Sequence, residues 1–450
     1  MNLDGVQVTI VGMGRSAAGA AALLKARGAI PFVSDCATGQ SLAPWRDTLD
    51  GLGVAYELGG HTGRAWERPG LVVLSPGVPP SMAPLKALRD RNIPIIGELE
   101  LAGRFAKAPI LAVTGTNGKT TVTEMIRHIL VVTGHNAVLA GNNNTSFAMA
   151  VKENPAPDFF VLEVSSYQLE TIVDFRPRVG AVLNVTPDHL GRHGTLEGYA
   201  EAKARLFVNQ QPGSDVAVLN GDDPRVAAMA TPEGVRRIPF FLDAAPDTGF
   251  GWDGGTLWVD GEAYPLTCPV PGRHNMANAL AALAVLHGAG MDTPGCLAAL
   301  ASFRGVEHRL EPAGIHHGIT FYNDSKSTNV DSLRVALESF DAPVTLIAGG
   351  QGKGSSYEPL APLVRERVSH FVAMGDEGPA LARAFAGAVP LAVVPDMPAA
   401  LEEALAHTPA GGVVLLSPGC ASFDQYRNFE ERGAHFKDLV SRLELKECMS

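Results

Sequence analysis

The chain has 450 residues, 46% hydrophobic and 18% charged, and 36 basic against 47 acidic side chains leave a net charge of −11. That length calls for about two or three domains around well-filled cores, and the acidic balance argues against a nucleic-acid scaffold. Five scattered cysteines without C-x-x-C spacing read as reduced thiols of a cytoplasmic protein, and no apolar run reaches the roughly 18 residues of a membrane span.

Residues 6–11 read as a buried strand running into Gly12-Met13-Gly14-Arg15-Ser16-Ala17. A small-residue helix over 17–26 and a strand over 30–33 follow, and the strand leads to Asp35. Glycine turn, helix and acid make a Rossmann-like start, in which the acid lies near a ribose hydroxyl. Ala17 stands where G-x-G-x-x-G has its last glycine, so a dinucleotide site and a plain βαβ turn both stay open. A strand over 71–74 stops at the rigid turn Ser75-Pro76-Gly77-Val78-Pro79-Pro80. Open α/β sheets bind ligands at such strand ends.

Residues 110–114 are a short apolar strand ending in Gly115-Thr116-Asn117-Gly118-Lys119-Thr120-Thr121. After it Val122, Met125, Ile126, Ile129 and Leu130 recur at helical spacing. Glycines let backbone N–H groups and a helix N-terminus close on an anion, and a hydroxyl at the helix start suits Mg²⁺. Val113 stands where the ordinary G-x-x-x-x-G-K-[ST] loop has its first glycine, so this is a shorter variant. It predicts an ATP site with Lys119 on the β- and γ-phosphates and Thr120 on the metal.

The strand over 138–140 leads into Gly141-Asn142-Asn143-Asn144-Thr145, and the strand over 159–164 carries Glu163. A carboxylate there suits a hard cation; a paired or capping carboxylate is the alternative. The strand over 179–185 leads to Thr186-Pro187-Asp188-His189-Leu190, where His189 is a candidate metal ligand or base and Asp188 its orienter. Lys203 lies in a helical stretch over 196–207 with Tyr199, Ala200 and Leu206, and its setting reads as that of a snorkelling surface lysine. The strand- and turn-rich stretch 240–269 predicts an antiparallel appendage. His274-Asn275-Met276-Ala277-Asn278 opens an alanine-rich helix, its asparagines being caps or adenine contacts.

After Glu307-His308-Arg309 a third α/β unit follows. A strand over 319–322 leads to Asn323-Asp324-Ser325-Lys326-Ser327-Thr328-Asn329, with Thr328 or Asn329 capping the next helix. Strands over 344–348 and 413–416 lead to Gly349-Gly350-Gln351-Gly352-Lys353 and to Ser417-Pro418-Gly419-Cys420-Ala421-Ser422-Phe423-Asp424. Three strand ends rich in Lys, Ser and Thr suit a small anionic substrate.

Taken together and in this order, 115-GTNGKTT, 163-EVSSYQLE, 187-PDHL, 274-HNMANALAA, 307-EHRLE, 323-NDSKSTN and 417-SPGCASFDQYRNFEERGAHF resemble the Mur ligase family. The resemblance spans essentially the whole chain. Its last two segments match the branch that adds D-glutamate rather than L-alanine, a diamino acid or a dipeptide. Folylpolyglutamate synthase is similar only around the phosphate loop, and no D-N-P-R diamino-acid signature is present.

The resemblance implies an α/β fold of three domains. A Rossmann-like UDP-substrate domain would cover 1–107, a central P-loop-type ATPase domain with a mainly parallel sheet 108–305, and a Rossmann-like amino-acid domain 306–450. It implies ATP-dependent addition of D-glutamate to UDP-N-acetylmuramoyl-L-alanine through an acyl phosphate, a cytoplasmic step of cell-wall precursor synthesis by a monomer that binds neither nucleic acid nor membrane. Gly14, Arg15, Ser16, Asp35, Ser75, Pro76 and Gly77 would then hold UDP rather than NAD. Gly115, Thr116, Asn117, Gly118, Lys119, Thr120, Thr121, Asn278, Arg309 and Asp324 would hold ATP. Thr120, Glu163, His189 and Lys203 would serve two Mg²⁺ ions, Lys203 as a carbamate, which reverses its surface reading. Asn142 and His189 would lie beside the substrate carboxylate, and Lys326, Thr328, Lys353, Ser422, Phe423 and Phe429 around D-glutamate. The chain departs from the family pattern at Gly191, at Asn143-Asn144 and at Cys36-Ala37, which bears on the metal shell and the uracil contacts.

Overall fold

The computed structural model describes residues 1–143, 145–266, 268–352, 354 and 356–447. Among them, the strands form three sheets. The first comprises β1 (Gln7–Val11), β2 (Ile30–Asp35), β3 (Ala55–Leu58), β4 (Leu71–Leu74) and β5 (Ile95–Gly97), parallel throughout in the order β3-β2-β1-β4-β5. The strand order reverses between β1 and β4, so the glycine turn after β1 and the Ser75-Pro76-Gly77 turn after β4 flank one crevice.

The second sheet holds β6 (Ile110–Thr114), β7 (Ala137–Gly141), β8 (Phe159–Glu163), β9 (Val179–Val182), β10 (Val216–Asn220), β11 (Arg236–Leu242), β12 (Phe250–Trp252), β13 (Thr256–Val259) and β14 (Glu262–Pro265). Its order is β14-β13-β12-β11-β10-β9-β6-β8-β7. Every residue of β6 and β8 is buried, as a parallel strand covered on both faces requires. The expected antiparallel appendage is present as β12-β13-β14, but it is not separate: β11 pairs parallel with β10 and β12 parallel with β11, so it continues the central sheet. Only the β12–β13 and β13–β14 pairs are antiparallel, so β13 alone runs against the other strands, at the edge of the central sheet. Period-two patterning marks strands but does not reveal their partners.

The third sheet holds β15 (Glu311–His316), β16 (Ile319–Asn323), β17 (Val344–Gly349), β18 (Val368–Met374), β19 (Leu391–Val394) and β20 (Val413–Leu416), in the order β15-β16-β20-β17-β18-β19. Only the β15–β16 pair is antiparallel. The ends of β16, β20 and β17, which carry the three polar loops, are therefore side by side.

The chain divides into two compact units, Met1–Thr267 with Ala277–Ala301, and Cys268–Met276 with Ser302–Ser450. The first and second sheets share a unit because their helices pack together, Arg15–Ala26 against Phe147–Glu153. Buried acids add to this junction. Glu98 Oε1 accepts the Ala148 N–H at 2.6 Å, and Glu100 accepts N–H groups from Val173, Asp174 and Phe175. Among the described residues no helix is long and apolar enough to cross a membrane.

Candidate functional site

The crevice of the first sheet is a cleft of about 340 Å³ lined by Gly12, Met13, Gly14, Arg15, Ser16, Asp35, Ser75, Pro76, Gly77 and Val78. It gathers all seven residues expected to hold the UDP moiety. Asp35 turns back on the glycine turn: its carboxylate accepts the Met13 N–H, and Oδ1 accepts the Ala37 N–H at 2.7 Å. Ser75 Oγ donates to Gly12 O at 3.0 Å, joining the two turns. Arg15 reaches out of the first sheet and donates to Asn143 O.

At the end of β6 the glycine loop 115–121 is tied to Asn184. Thr116 N–H donates to Asn184 O at 3.0 Å and Asn117 N–H to Asn184 Oδ1 at 2.8 Å. Gly118 caps the helix Lys119–Val132 in the left-handed region, φ 85°, and a Cβ on it would lie 2.4 Å from Asn278 Oδ1. Glycine is thus required there both by conformation and by space. Asn278 is buried inside the helix Arg273–Gly288, so it is not a cap; its amide lies against the phosphate loop. Lys119 Nζ donates to Gly115 O at 2.9 Å and Thr116 O at 2.8 Å.

Beside the loop lies an oxygen pair. Glu163, at the end of β8, is buried, and its Oε2 accepts from Thr120 Oγ1 at 2.8 Å. Its Oε1 accepts from Asn142 Nδ2 at 3.0 Å, and Asn142 N–H donates to Glu163 O at 2.7 Å. That last bond needs the backbone of Gly141, φ 109°, to pass close; a Cβ there would be 2.1 Å from Glu163 O. Two oxygens at 2.8 Å span nearly the cis edge, about 3 Å, of an octahedron with Mg–O bonds of about 2.0–2.1 Å. The donor chemistry and spacing therefore fit Mg²⁺.

Lys203 is not a surface lysine: it is 1% exposed, on the helix Leu196–Ala204. Its Nζ donates to Gly115 O at 2.8 Å and stands 4.3 Å from the centre of the Tyr199 ring one turn earlier. Burial first, and the Lys119 charge second, pull its pKa down to about 7, while Asp188 opposes them. Snorkelling fails because the ammonium faces the β6 loop rather than solvent. His189 sits in the left-handed region, φ 54°, with Nε2 3.4 Å from Asp188 Oδ2 and Nδ1 3.2 Å from Tyr167 Oη. Its nitrogens meet these two groups rather than the Thr120–Glu163 pair.

In the second unit Asp324 is buried, and burial lifts its pKa to about 7. Its oxygens accept from Leu310 N–H at 3.2 Å and Ser417 Oγ at 2.8 Å. Arg309 has a buried Nε without a hydrogen-bond partner. Asn329, not Thr328, caps the helix Val330–Leu337. Lys326 Nζ is 5.8 Å from the centre of the Phe429 ring, and Ser422 is buried while its neighbour Phe423 is 66% exposed. Gln351 and Ala421 exchange backbone hydrogen bonds at 2.8 and 2.9 Å, so the loop leading to Lys353 is joined to the loop of Ser422. Lys353 and Asn144 lie outside the described residues.

Another group has metal-ligand composition: His370, Glu403 and His407. The two rings stack, centroids 4.0 Å apart at 8°, so their lone pairs lie in nearly parallel planes and do not converge on one ion. Both instead share Glu403 Oε1, at 3.0 and 3.2 Å.

Asn184, Tyr167 and Tyr199 were not assigned roles from the sequence, and their signal there is weak. A loop asparagine after a strand and two helix tyrosines look ordinary until the fold brings Asn184 and Tyr199 to the loop after β6 and Tyr167 to His189.

The Mur ligase MurD-like N-terminal domain matches residues 6–97, the Mur ligase middle domain 113–286 and the Mur ligase glutamate ligase domain 308–420. The UDP-N-acetylmuramoylalanine–D-glutamate ligase of Geotalea uraniireducens is 41% identical over 99% of both chains. The protein of the same name from Chlorobaculum tepidum is 38% identical over 98% of this chain and 99% of its own. Among solved structures, the Thermotoga maritima UDP-N-acetylmuramate–alanine ligase superposes with a TM-score of 0.61 at 22% identity, covering 98% of this chain and 100% of that one, a likeness of fold. With three family domains in order and full-length relatives at this level of identity, the chain belongs to the Mur ligase family.

Proposed function

We propose that the protein joins D-glutamate to UDP-N-acetylmuramoyl-L-alanine at the expense of ATP, a step of peptidoglycan precursor synthesis in the cytoplasm. The choice of amino acid rests on the names of its full-length relatives. The chemistry rests on one observation: two lysines and the Thr120–Glu163 pair surround the loop at the end of β6.

A carboxylate is a poor acyl donor because its leaving group is oxide. In this reading a carboxylate oxygen of the substrate attacks the γ-phosphorus, the bond to ADP breaks, and an acyl phosphate forms. Lys119 offsets the repulsion between the two anions, and the loop N–H groups hold the phosphates. The D-glutamate amine, after losing a proton, attacks the acyl carbon and phosphate departs. His189, oriented by Asp188, is the proposed proton acceptor. Thr120 and Glu163 would hold one Mg²⁺, and Lys203, as a carbamate, a second. When bound, the ions supply charge neutralisation on the phosphate oxygens. Lys203 is suited to react with CO₂ because a pKa near 7 leaves much of its amine neutral at working pH.

The cleft of the first sheet would take the UDP moiety, and Lys326, Thr328, Lys353, Ser422, Phe423 and Phe429 the amino acid. Asn278, Arg309 and Asp324 would meet the nucleotide. The test is phosphate release with UDP-N-acetylmuramoyl-L-alanine across a panel of amino acids in both enantiomers. D-Glutamate alone is expected to support turnover; turnover with another amino acid, or with none, would overturn the reading.

A further inference from the structure

We propose that Arg432 is the positioning residue of the amino-acid site, holding its loops together and setting a positive charge beneath it. This rests on the reading above, in which those loops receive D-glutamate.

Arg432 lies in the helix Phe429–Glu447 and is 1% exposed. Its guanidinium meets two loops at once. Nε donates to Ser325 Oγ at 3.0 Å and Nη2 to Ser325 O at 2.8 Å; Nη2 also donates to Cys420 O at 3.1 Å, and Nη1 to Ala421 O at 3.2 Å. Ser325 precedes Lys326 on the loop after β16, and Cys420 and Ala421 precede Ser422 on the loop after β20. A third loop closes on the same point, because a Cβ at Gly350, φ 133°, would lie 3.0 Å from Nη1 and 2.3 Å from Ala421 O. Ser325 Oγ in turn donates to Phe429 O at 2.8 Å, which fixes the start of the helix. Lys326, Thr328, Ser422 and Phe423 therefore lie within three positions of an atom that Arg432 holds, and Phe429 accepts from the hydroxyl of Ser325.

The charge matters as well as the fork. All four hydrogen bonds go to neutral oxygens, and among the described residues no carboxylate stands within ion-pair distance of the guanidinium. Asp424 and Asp324 act on it only from further away. A buried cation paired only with carbonyl and hydroxyl oxygens leaves an attractive field, and in a low-dielectric interior that field is weakly screened. An incoming substrate with two carboxylates is the anion it would favour. Lysine could keep the charge, but its ammonium cannot match three carbonyls and a hydroxyl in the plane of a guanidinium.

The test compares Arg432→Met, which removes charge and fork, with Arg432→Lys, which removes the fork alone. Arg432→Met is expected to raise KM for D-glutamate roughly 100-fold while KM for ATP is unchanged. Arg432→Lys should fall between it and the wild type, and methylguanidinium should lower KM for D-glutamate in Arg432→Ala. Should these variants fail to fold, Ser325→Ala, which removes the acceptor of Nε, is expected to give the same selective rise on a smaller scale. Equal rises in KM for both substrates, or a fall in kcat with KM for D-glutamate unchanged, would overturn the proposal and leave Arg432 a loop staple. If the wild type turns over a different amino acid, the reading of the substrate fails, and Arg432 is judged by the same selective rise in KM for that substrate.

Discussion

Lys119 and Lys203 meet on one oxygen: both ammonium groups donate to the carbonyl of Gly115, at 2.9 and 2.8 Å. Burial, and after it the charge of Lys119, pulls the pKa of Lys203 down to about 7. Burial and that neighbouring charge together make Lys203 chemically distinct from an ordinary lysine.

Lys203→Ala should lower kcat by roughly 100-fold or more, since it removes a preorganised charge beside the phosphates. A small carboxylic acid should restore part of the activity if the working form is the carbamate. Steady-state rates with and without acetate check this; restoration by a free amine instead would show that the lysine works as an ammonium.

Glu163→Gln keeps one of the two oxygens that accept from Thr120 and Asn142 and removes the charge that suits Mg²⁺. The expected outcome is a rise in the Mg²⁺ concentration needed for half-maximal ADP release and a fall in kcat of roughly 100-fold, with little change in Tm. An unaltered Mg²⁺ dependence would remove Glu163 from the metal site.

Asn184→Ala removes the side-chain amide that accepts the Asn117 N–H and donates to Asn117 O, leaves the Thr116 N–H on its backbone partner, and should loosen the glycine loop. The account predicts a rise of about 10-fold in KM for ATP, the scale of one or two lost hydrogen bonds, and no change in KM for the amino acid. Initial-rate kinetics with each substrate varied in turn separate the two.

Glu98 tests the junction of the first and second sheets. Complete burial lifts its pKa from 4.5 to about 7, and its Oε2 has no hydrogen-bond partner. A carboxyl whose folded pKa exceeds its unfolded value holds its proton more tightly when folded. Its contribution is therefore full below about 4.5 and is lost as pH rises through 7. Between pH 5 and 8 the wild type should lose roughly 1–3 kcal/mol relative to Glu98→Gln, which mimics the protonated acid throughout. Urea unfolding of both proteins at several pH values measures the difference, and parallel curves would contradict it.

Much of this was legible beforehand, for physical reasons. Buried parallel strands are continuous apolar runs, so β4, β6 and β20 stand out with their ends in place, and ligand loops follow strand ends. What was hidden depends on the third dimension. Lys203 has the same neighbours in sequence as a solvated lysine, and only the approach of the β6 loop buries it. Arg432 lies in a charged stretch, Glu430-Glu431-Arg432, that reads as a solvated helix face until the loops of Ser325 and Cys420 close over it. The strands Phe250–Trp252 and Thr256–Val259 were recognisable, but not their membership of the central sheet.

The central claim is that ATP activates the substrate acid by phosphorylating it. Its most direct test uses UDP-N-acetylmuramoyl-L-alanine whose carboxylate oxygens carry the heavy isotope, turned over with D-glutamate and analysed by mass spectrometry. The account predicts ADP and inorganic phosphate bearing one labelled oxygen per turnover. Label in AMP with release of pyrophosphate, or phosphate without label, would contradict it.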